Sequence, residues 1–323
     1  MTGRQHPETL AENSQIYSAF GLTIHSDFAL PLEAQPALVG EADVSIRRGL
    51  PGDWPAGTAG PARAGHECAA RQDLDLGDWG KFAVIAGSRI HVLPGPASDE
   101  RTLGFFLLEK LLVQALYQRG LWIFHASVVA MEQGAVAILA PPGGGKTTVA
   151  LALQAADRAI LDDDILAIEP RPRGPLLVRP GLPAIKLWPE QARRFGIPLA
   201  SLARQLPGRE KLVAPLLVEA PGQPLPLRKI YILRPGPELA IEPLTPTALT
   251  RLLIAHWYGL LYAGEMFASD REARPIAFHQ AAGVARRTPA AWLLARREWE
   301  GLAGLDEIIR EDLARLPLIS AGS

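Results

Sequence analysis

The chain reads as an α/β protein with a mixed sheet flanked by helices and a smaller β-rich region ahead of it. Three observations predict this. An apolar strand-like run, Ala135–Ala140, passes through a glycine-rich turn straight into a helical stretch at Val149–Ala156. Residues 17 to 98 cluster apolar residues in short runs between turn-formers. From Thr247 to Leu316 the apolar spacing is mostly helical.

In order along the chain, Tyr17–Ile24 and Phe82–Val92 read as strands, and proline and glycine groups break the pattern at 51–65. A helix is expected over about 102–119, with Gly120 as its stop. Two apolar runs, Leu121–Val129 and Ala135–Ala140, flank Glu132-Gln133-Gly134 and suggest a hairpin. A short strand, Ala159–Leu161, follows the helix and leads into Asp162-Asp163-Asp164. Residues 172 to 243 are proline-rich, with strand-like runs at Leu176–Val178 and Lys229–Leu233. The division expected is a β-rich domain at 1–98 and a phosphate-loop domain at 99–323.

The bulk composition excludes several classes. With 48% hydrophobic and 21% charged residues, 323 residues can bury a sizeable core. A net charge of −1 offers no footprint for nucleic acid or an anionic membrane. The most apolar stretch, Leu103–Tyr117, is short and carries Glu109 and Lys110, so it reads as a buried helix and not a membrane span. Cys68 is the single cysteine, which excludes an intrachain disulfide and fits a reducing cytoplasm.

The glycine-rich turn is the strongest motif. In Ala140-Pro141-Pro142-Gly143-Gly144-Gly145-Lys146-Thr147-Thr148, the glycines let backbone N–H groups wrap a phosphate at a helix N-terminus. Lys146 would reach the β- and γ-phosphates of ATP, and the Thr147 hydroxyl would ligate Mg²⁺. The strict pattern GxxxxGK[ST] has glycine where this chain has Ala140. The three aspartates begin sixteen residues beyond the lysine. A strand returning beside the loop would deliver them next to the phosphates, where carboxylates suit Mg²⁺ coordination and general-base work.

The stretch from His125-Ala-Ser through Lys146-Thr-Thr to Leu161-Asp-Asp163-Asp164 resembles the catalytic core of the HPr kinase/phosphorylase family, over about 45 residues. His125 lies 21 residues before Lys146, and Asp163 lies 17 after it. The resemblance implies an HPr-kinase-like phosphate-loop domain using ATP and Mg²⁺ on a serine hydroxyl. Asp163 would be the catalytic base, Asp164 a Mg²⁺ ligand with Thr147, and His125 a neighbour of the phosphates. It also implies a homo-oligomer. The family carries a Glu-Ile-Arg-Gly-Leu-Gly segment, whereas Leu177–Pro183 here keeps an arginine and Gly-Leu without the glutamate. That departure argues against HPr itself as the acceptor.

Phe20-Gly21-Leu22, Leu30-Pro31 and the Gly181–Pro189 segment resemble the HPr-kinase-like proteins of lasso-peptide biosynthesis. By that resemblance the acceptor is the C-terminal serine of a precursor peptide. Other readings stay open: an HPr(Ser) kinase proper, a small-molecule kinase, or a nucleotide-driven switch ATPase. Arg179, Arg209 and Lys211 are further candidates for a phosphate or carboxylate clamp. Trp257, Tyr258 and Trp292 read as core, and the remaining histidines, His256 among them, show no metal-ligand spacing.

Overall fold

The computed structural model describes residues 14–36, 41–50, 52, 54–55, 70–205, 210–261, 270–296 and 299–317. Cys68, Arg209 and most of the 51–65 break lie outside the described residues. The chain divides into two compact units, Met1–Pro61 with Ala69–Ala115 and Ala62–Cys68 with Leu116–Ser323.

In the first unit, β1 (Gln15–Ala19), β2 (Leu22–Ser26), β3 (Val44–Arg48), β4 (Arg71–Asp75), β5 (Gly80–Ile85) and β6 (Arg89–Pro94) form one sheet in the order β1-β2-β3-β6-β5-β4. Phe20-Gly21 makes the β1–β2 turn, both residues having positive φ (54° and 67°), and Ala86-Gly87 repeats the device between β5 and β6. Such turns match the twist of the strands they join. The Phe-Gly-Leu motif thus has a local structural explanation, with the Phe20 ring fully buried. Leu30-Pro31 has one too. A Cβ on Gly104 would meet the Ala29 carbonyl at 2.6 Å and Pro31 Cδ at 3.3 Å, so the helix beginning at Glu100 seats closely on this segment.

The predicted 102–119 helix is found as α1 (Glu100–Phe106), a π-turn (Leu107–Leu111) and α2 (Leu112–Gln118). Asp99 caps its start by accepting the Thr102 N–H at 2.9 Å. The wider π-turn spans Glu109-Lys110, the polar pair inside an otherwise apolar run.

The second unit is built on a mixed sheet. The hairpin is β8 (Ser127–Met131) with β9 (Gly134–Leu139), while β7 (Trp122–Phe124) pairs instead with β11 (Leu166–Glu169). The long β16 (Leu225–Pro235) runs parallel to β9 on one side and to β18 (Ala290–Ala295) on the other. β10 (Ile160–Asp162) lies antiparallel to β8, so the acidic run ends beside the hairpin. The helix Lys146–Ala155 and the C-terminal helix Leu305–Ala314 contribute Val149, Leu153, Ile309 and Leu313 to a core with Val129, Ile138 and Leu293. β18 corrects the mostly helical reading of 247–316: Trp292 stands on a strand, with the Arg234 guanidinium 4.9 Å from its ring. Among the described residues no helix is long and apolar enough to cross a membrane.

One largely buried cluster pins the helix Leu305–Ala314 to the central strand. Asp312 accepts from the Tyr231 hydroxyl at 2.6 Å and pairs with Lys229 at 2.6 Å, both donors on β16. Removing one partner of a buried pair leaves a charge without compensation. Asp312→Ala should therefore cost about 3–5 kcal/mol in urea unfolding. Tyr231→Phe, which removes one neutral donor, should cost about 1 kcal/mol.

Candidate functional site

The glycine-rich loop leaves the C-terminal end of β9 and enters the helix at Lys146. Gly145 is the N-cap in a left-handed conformation (φ 99°), and Gly143 also has positive φ (71°). No side chain caps the first turn, so its N–H groups remain available to an anion. A Cβ at Gly144 would stand 2.8 Å from the Pro141 carbonyl and 2.9 Å from the Ala140 methyl. Ala140 therefore fits because Gly144 lacks a side chain. Among the described residues the non-glycine positions with positive φ are Phe20, Ala86 and Asp157, so the backbone at 140 does not call for glycine.

Three neighbouring aspartates have three different environments. Asp162 is buried and accepts backbone N–H groups from Asp164 (2.8 Å), Ile165 (2.7 Å) and Leu182 (2.9 Å). Burial pushes its carboxyl up to about 6 against the pull of those donors. It is a structural residue that joins the acidic turn to the Gly181-Leu182 segment. Asp163 is buried between two hydroxyls, accepting from Ser127 at 2.6 Å and from Thr147 at 2.9 Å. Burial, and then the charge of Asp164, raise its proton affinity well above that of an ordinary carboxylate. For Asp164 burial pulls upward, but Lys186 in direct contact and the nearby His125 outweigh it and hold the carboxyl low.

Around the acids sit the basic groups. Lys146 is buried, with Nζ 3.3 Å from the Ala140 carbonyl. Burial lowers its pKa, while Asp164 and Asp163 act to raise it. His125 lies with Nδ1 2.9 Å from the Asp164 carbonyl oxygen and 3.8 Å from its carboxylate. Its backbone N–H donates to the His256 carbonyl at 2.7 Å. Burial lowers both imidazoles, His256 to about 4, and the Lys146 charge lowers them further. Thr148 accepts from Gln191 Nε2 at 3.1 Å, and Gln191 Oε1 accepts the Trp188 N–H at 2.9 Å, which ties the loop helix to the Trp188 segment.

His125, Lys146, Thr147, Asp163 and Asp164 thus come together in space. The clamp candidates divide. Arg179 pairs with Glu169 at 2.9 Å. Lys211 lies over the Trp188 ring at 5.8 Å, and its charge acts on Lys146 and Asp164. Arg209 lies outside the described residues. Lys186 and His256 were not predicted. Lys186 carried one signal in its strand β13 (Ala184–Leu187), where Ile185 and Leu187 turn into the core and leave Lys186 on the other face.

The residues suit a magnesium ion shared with phosphates. Among the described residues no three His, Cys, Asp or Glu side chains form a metal cage. Mg²⁺ at phosphoryl-transfer sites, however, takes one or two protein oxygens and completes its shell from phosphates and water. The Thr147 hydroxyl and the Asp164 carboxylate, which has a second oxygen beyond the one facing Lys186, supply hard oxygen donors of that kind.

No protein-family profile and no curated protein sequence matches this chain. Among solved structures it is similar to the HPr(Ser) kinase/phosphatase from Coxiella burnetii, at 10% identity and a TM-score of 0.30, over 60% of this chain and 97% of that one. At that score the likeness carries no inference about the chemistry of this chain.

Two expectations follow from the geometry. A Cβ on Gly181 would stand 1.9 Å from Asp162 Oδ2, so Gly181→Ala must displace the carboxylate from its three donors. A loss of about 2–4 kcal/mol is expected in thermal or urea melts. His256 is held neutral in the folded chain down to about pH 4, whereas an unfolded imidazole protonates near 6.5. Its contribution is therefore complete above about pH 6.5 and is lost as pH falls toward 4. In His256→Gln, unfolding free energy should fall less steeply across that window than in the parent, by roughly 1–3 kcal/mol at its acid end.

Proposed function

We propose that the second unit is an ATP- and Mg²⁺-dependent kinase that phosphorylates a serine hydroxyl of a peptide or protein. The observation that carries this reading is the contact of Asp163 with Thr147 at the open N-terminus of the loop helix. A carboxylate of raised proton affinity there stands beside the loop that would hold the phosphates. A switch ATPase needs a metal-binding carboxylate there, and its attacking water is usually placed by a separate residue. Two adjacent acids whose environments push them apart suit a division of labour between base and anion.

In this reading the loop N–H groups and Lys146 hold the β- and γ-phosphates, and Thr147 and Asp164 would hold Mg²⁺, which when bound would supply charge neutralisation at the phosphate oxygens. The acceptor oxygen attacks the γ-phosphorus in line. The bond from that phosphorus to the β,γ-bridging oxygen breaks, and ADP departs. The hydroxyl proton passes to the Asp163 carboxylate. Ser127, donating to the other oxygen of Asp163, fixes the orientation of the carboxylate. His256, held neutral down to about pH 4, borders the site without adding charge. The narrower reading, drawn from the Phe20-Gly21-Leu22 and Gly181–Pro189 motifs, is that the acceptor is the C-terminal serine of a lasso precursor peptide.

Serine-ending precursor peptides incubated with the full chain, ATP and Mg²⁺ should gain one phosphate-sized mass on the terminal serine, read by intact-mass and fragmentation spectrometry. Lys146→Ala should abolish the gain. Asp163→Asn should lower the rate by about 10²–10⁴-fold while nucleotide binding persists. ATP consumption with no peptide, protein or metabolite modified would move the assignment to a switch ATPase.

A further inference from the structure

The chain has 33 basic residues, of which only six are lysine: 81, 110, 146, 186, 211 and 229. In so arginine-rich a chain, three of those six, Lys146, Lys186 and Lys211, bear on the one carboxylate of Asp164. Lysine is a compact charge with rotatable donors, suited to meeting phosphate oxygens individually, while arginine suits flat bidentate pairs.

Lys186 is held in place from two directions. Leu182, whose N–H is bound by Asp162, opens the segment into β13, and β13 pairs with β15 (Leu212–Pro215) in the register Lys186↔Val213 and Leu187↔Leu212. The strand alternation then turns Lys186 away from the core and onto the Asp164 carboxylate, with which its ammonium is in contact. The same carboxylate lies 3.8 Å from His125 on its other oxygen. Asp164 therefore has Lys186 on one side and lies within the electrostatic reach of Lys146. The two ammonium groups come from elements unrelated in sequence, one from the loop helix and one from the small sheet. Lys186 is only 16% exposed at the side chain, so its charge acts where water screens it weakly.

We propose that Lys186 is a catalytic residue that binds the terminal phosphate of the nucleoside triphosphate, opposite Lys146, with Asp164 as the group that positions it. The proposal rests on the kinase reading above and adds a second cation in cis for the phosphoryl group in transfer. As that group passes from ADP to the acceptor, charge on its three equatorial oxygens must be matched by donors already in place. Lys186 donates N–H bonds to those oxygens and stays protonated throughout, so the proton balance is unchanged and Asp163 remains the base. A plain salt bridge between Lys186 and Asp164 would show no preference for any one phosphate of the nucleotide.

That difference sets the experiment, which needs no acceptor. Isothermal titration of the full chain with ATP and with ADP, each with Mg²⁺, is compared for the parent, Lys186→Gln, Lys186→Arg and Lys146→Ala. Lys186→Gln should weaken ATP about tenfold or more and leave ADP within about twofold, because only ATP carries the phosphate that Lys186 meets. Lys146→Ala should weaken both. Should Lys186→Gln fail to fold, Lys186→Arg gives the same ratio: it keeps the pair with Asp164 but displaces the charge, and should weaken ATP several-fold with ADP unchanged. An unchanged ATP-to-ADP ratio in the folded Lys186 variants overturns the proposal and leaves the kinase reading standing. Failure of the parent chain to bind either nucleotide overturns both.

Discussion

The Asp162 carboxylate, buried and bound to three backbone N–H groups, is what the geometry of the site depends on. Two of its donors, from Asp164 and Ile165, fold the chain back directly after β10, which aims Asp163 at Thr147 and Asp164 at Lys186. The third, from Leu182, draws in a segment twenty residues further along and sets where β13 begins. Gly181 is the residue that lets this approach happen, since any side chain there would occupy the space of Asp162 Oδ2. One short acceptor thus organises two catalytic candidates and the strand that brings a third. A buried carboxylate with several N–H donors can do this because losing any one donor leaves an unsatisfied group in a medium of low dielectric.

The electrostatics follow from that placement. Asp163 and Asp164 are adjacent in sequence but cannot both be ionised at low cost when buried together. Their partners differ: two hydroxyls face Asp163, while an ammonium and an imidazole edge face Asp164. The hydroxyls stabilise a carboxylate less than a full charge does, so the proton goes preferentially to Asp163. Lys146 stays close to its own loop, on the Ala140 carbonyl. On the kinase reading this distribution suits a polyanion, since the loop N–H groups and two lysines face a single carboxylate that is held low.

How much of this could be read beforehand depended on whether the cause was local. The loop was legible because glycine at 143 and 145 answers a local backbone demand, and the acidic run was legible because it follows a strand at a fixed distance. What separates Asp162 from Asp163 and Asp164 was not legible, since three identical residues take their roles from partners far along the chain. Lys186 and His256 were missed for the same reason: strand pairing and a helix end bring them in, with no spacing to announce them. β18 was missed because Ala290–Ala295 is a short apolar run, and such a run is ambiguous between buried helix and buried strand until its neighbour is known. Its parallel pairing with β16 settles the choice through a contact some sixty residues away.

The alanine at position 140 bears on how such loops should be recognised. A pattern that insists on glycine there treats the first residue as a site of backbone strain. In this chain the strain sits at Gly143 and Gly145, and the steric burden falls on Gly144, which would clash with both Pro141 and Ala140 if it bore a side chain. The three consecutive glycines therefore perform distinct tasks: two take left-handed backbone, and the one between them makes room for the methyl that the strict pattern forbids. Alanine at 140 is accommodated because position 144 carries no side chain. The physical requirement is room at position 144, where a side chain would meet both the Ala140 methyl and the Pro141 carbonyl.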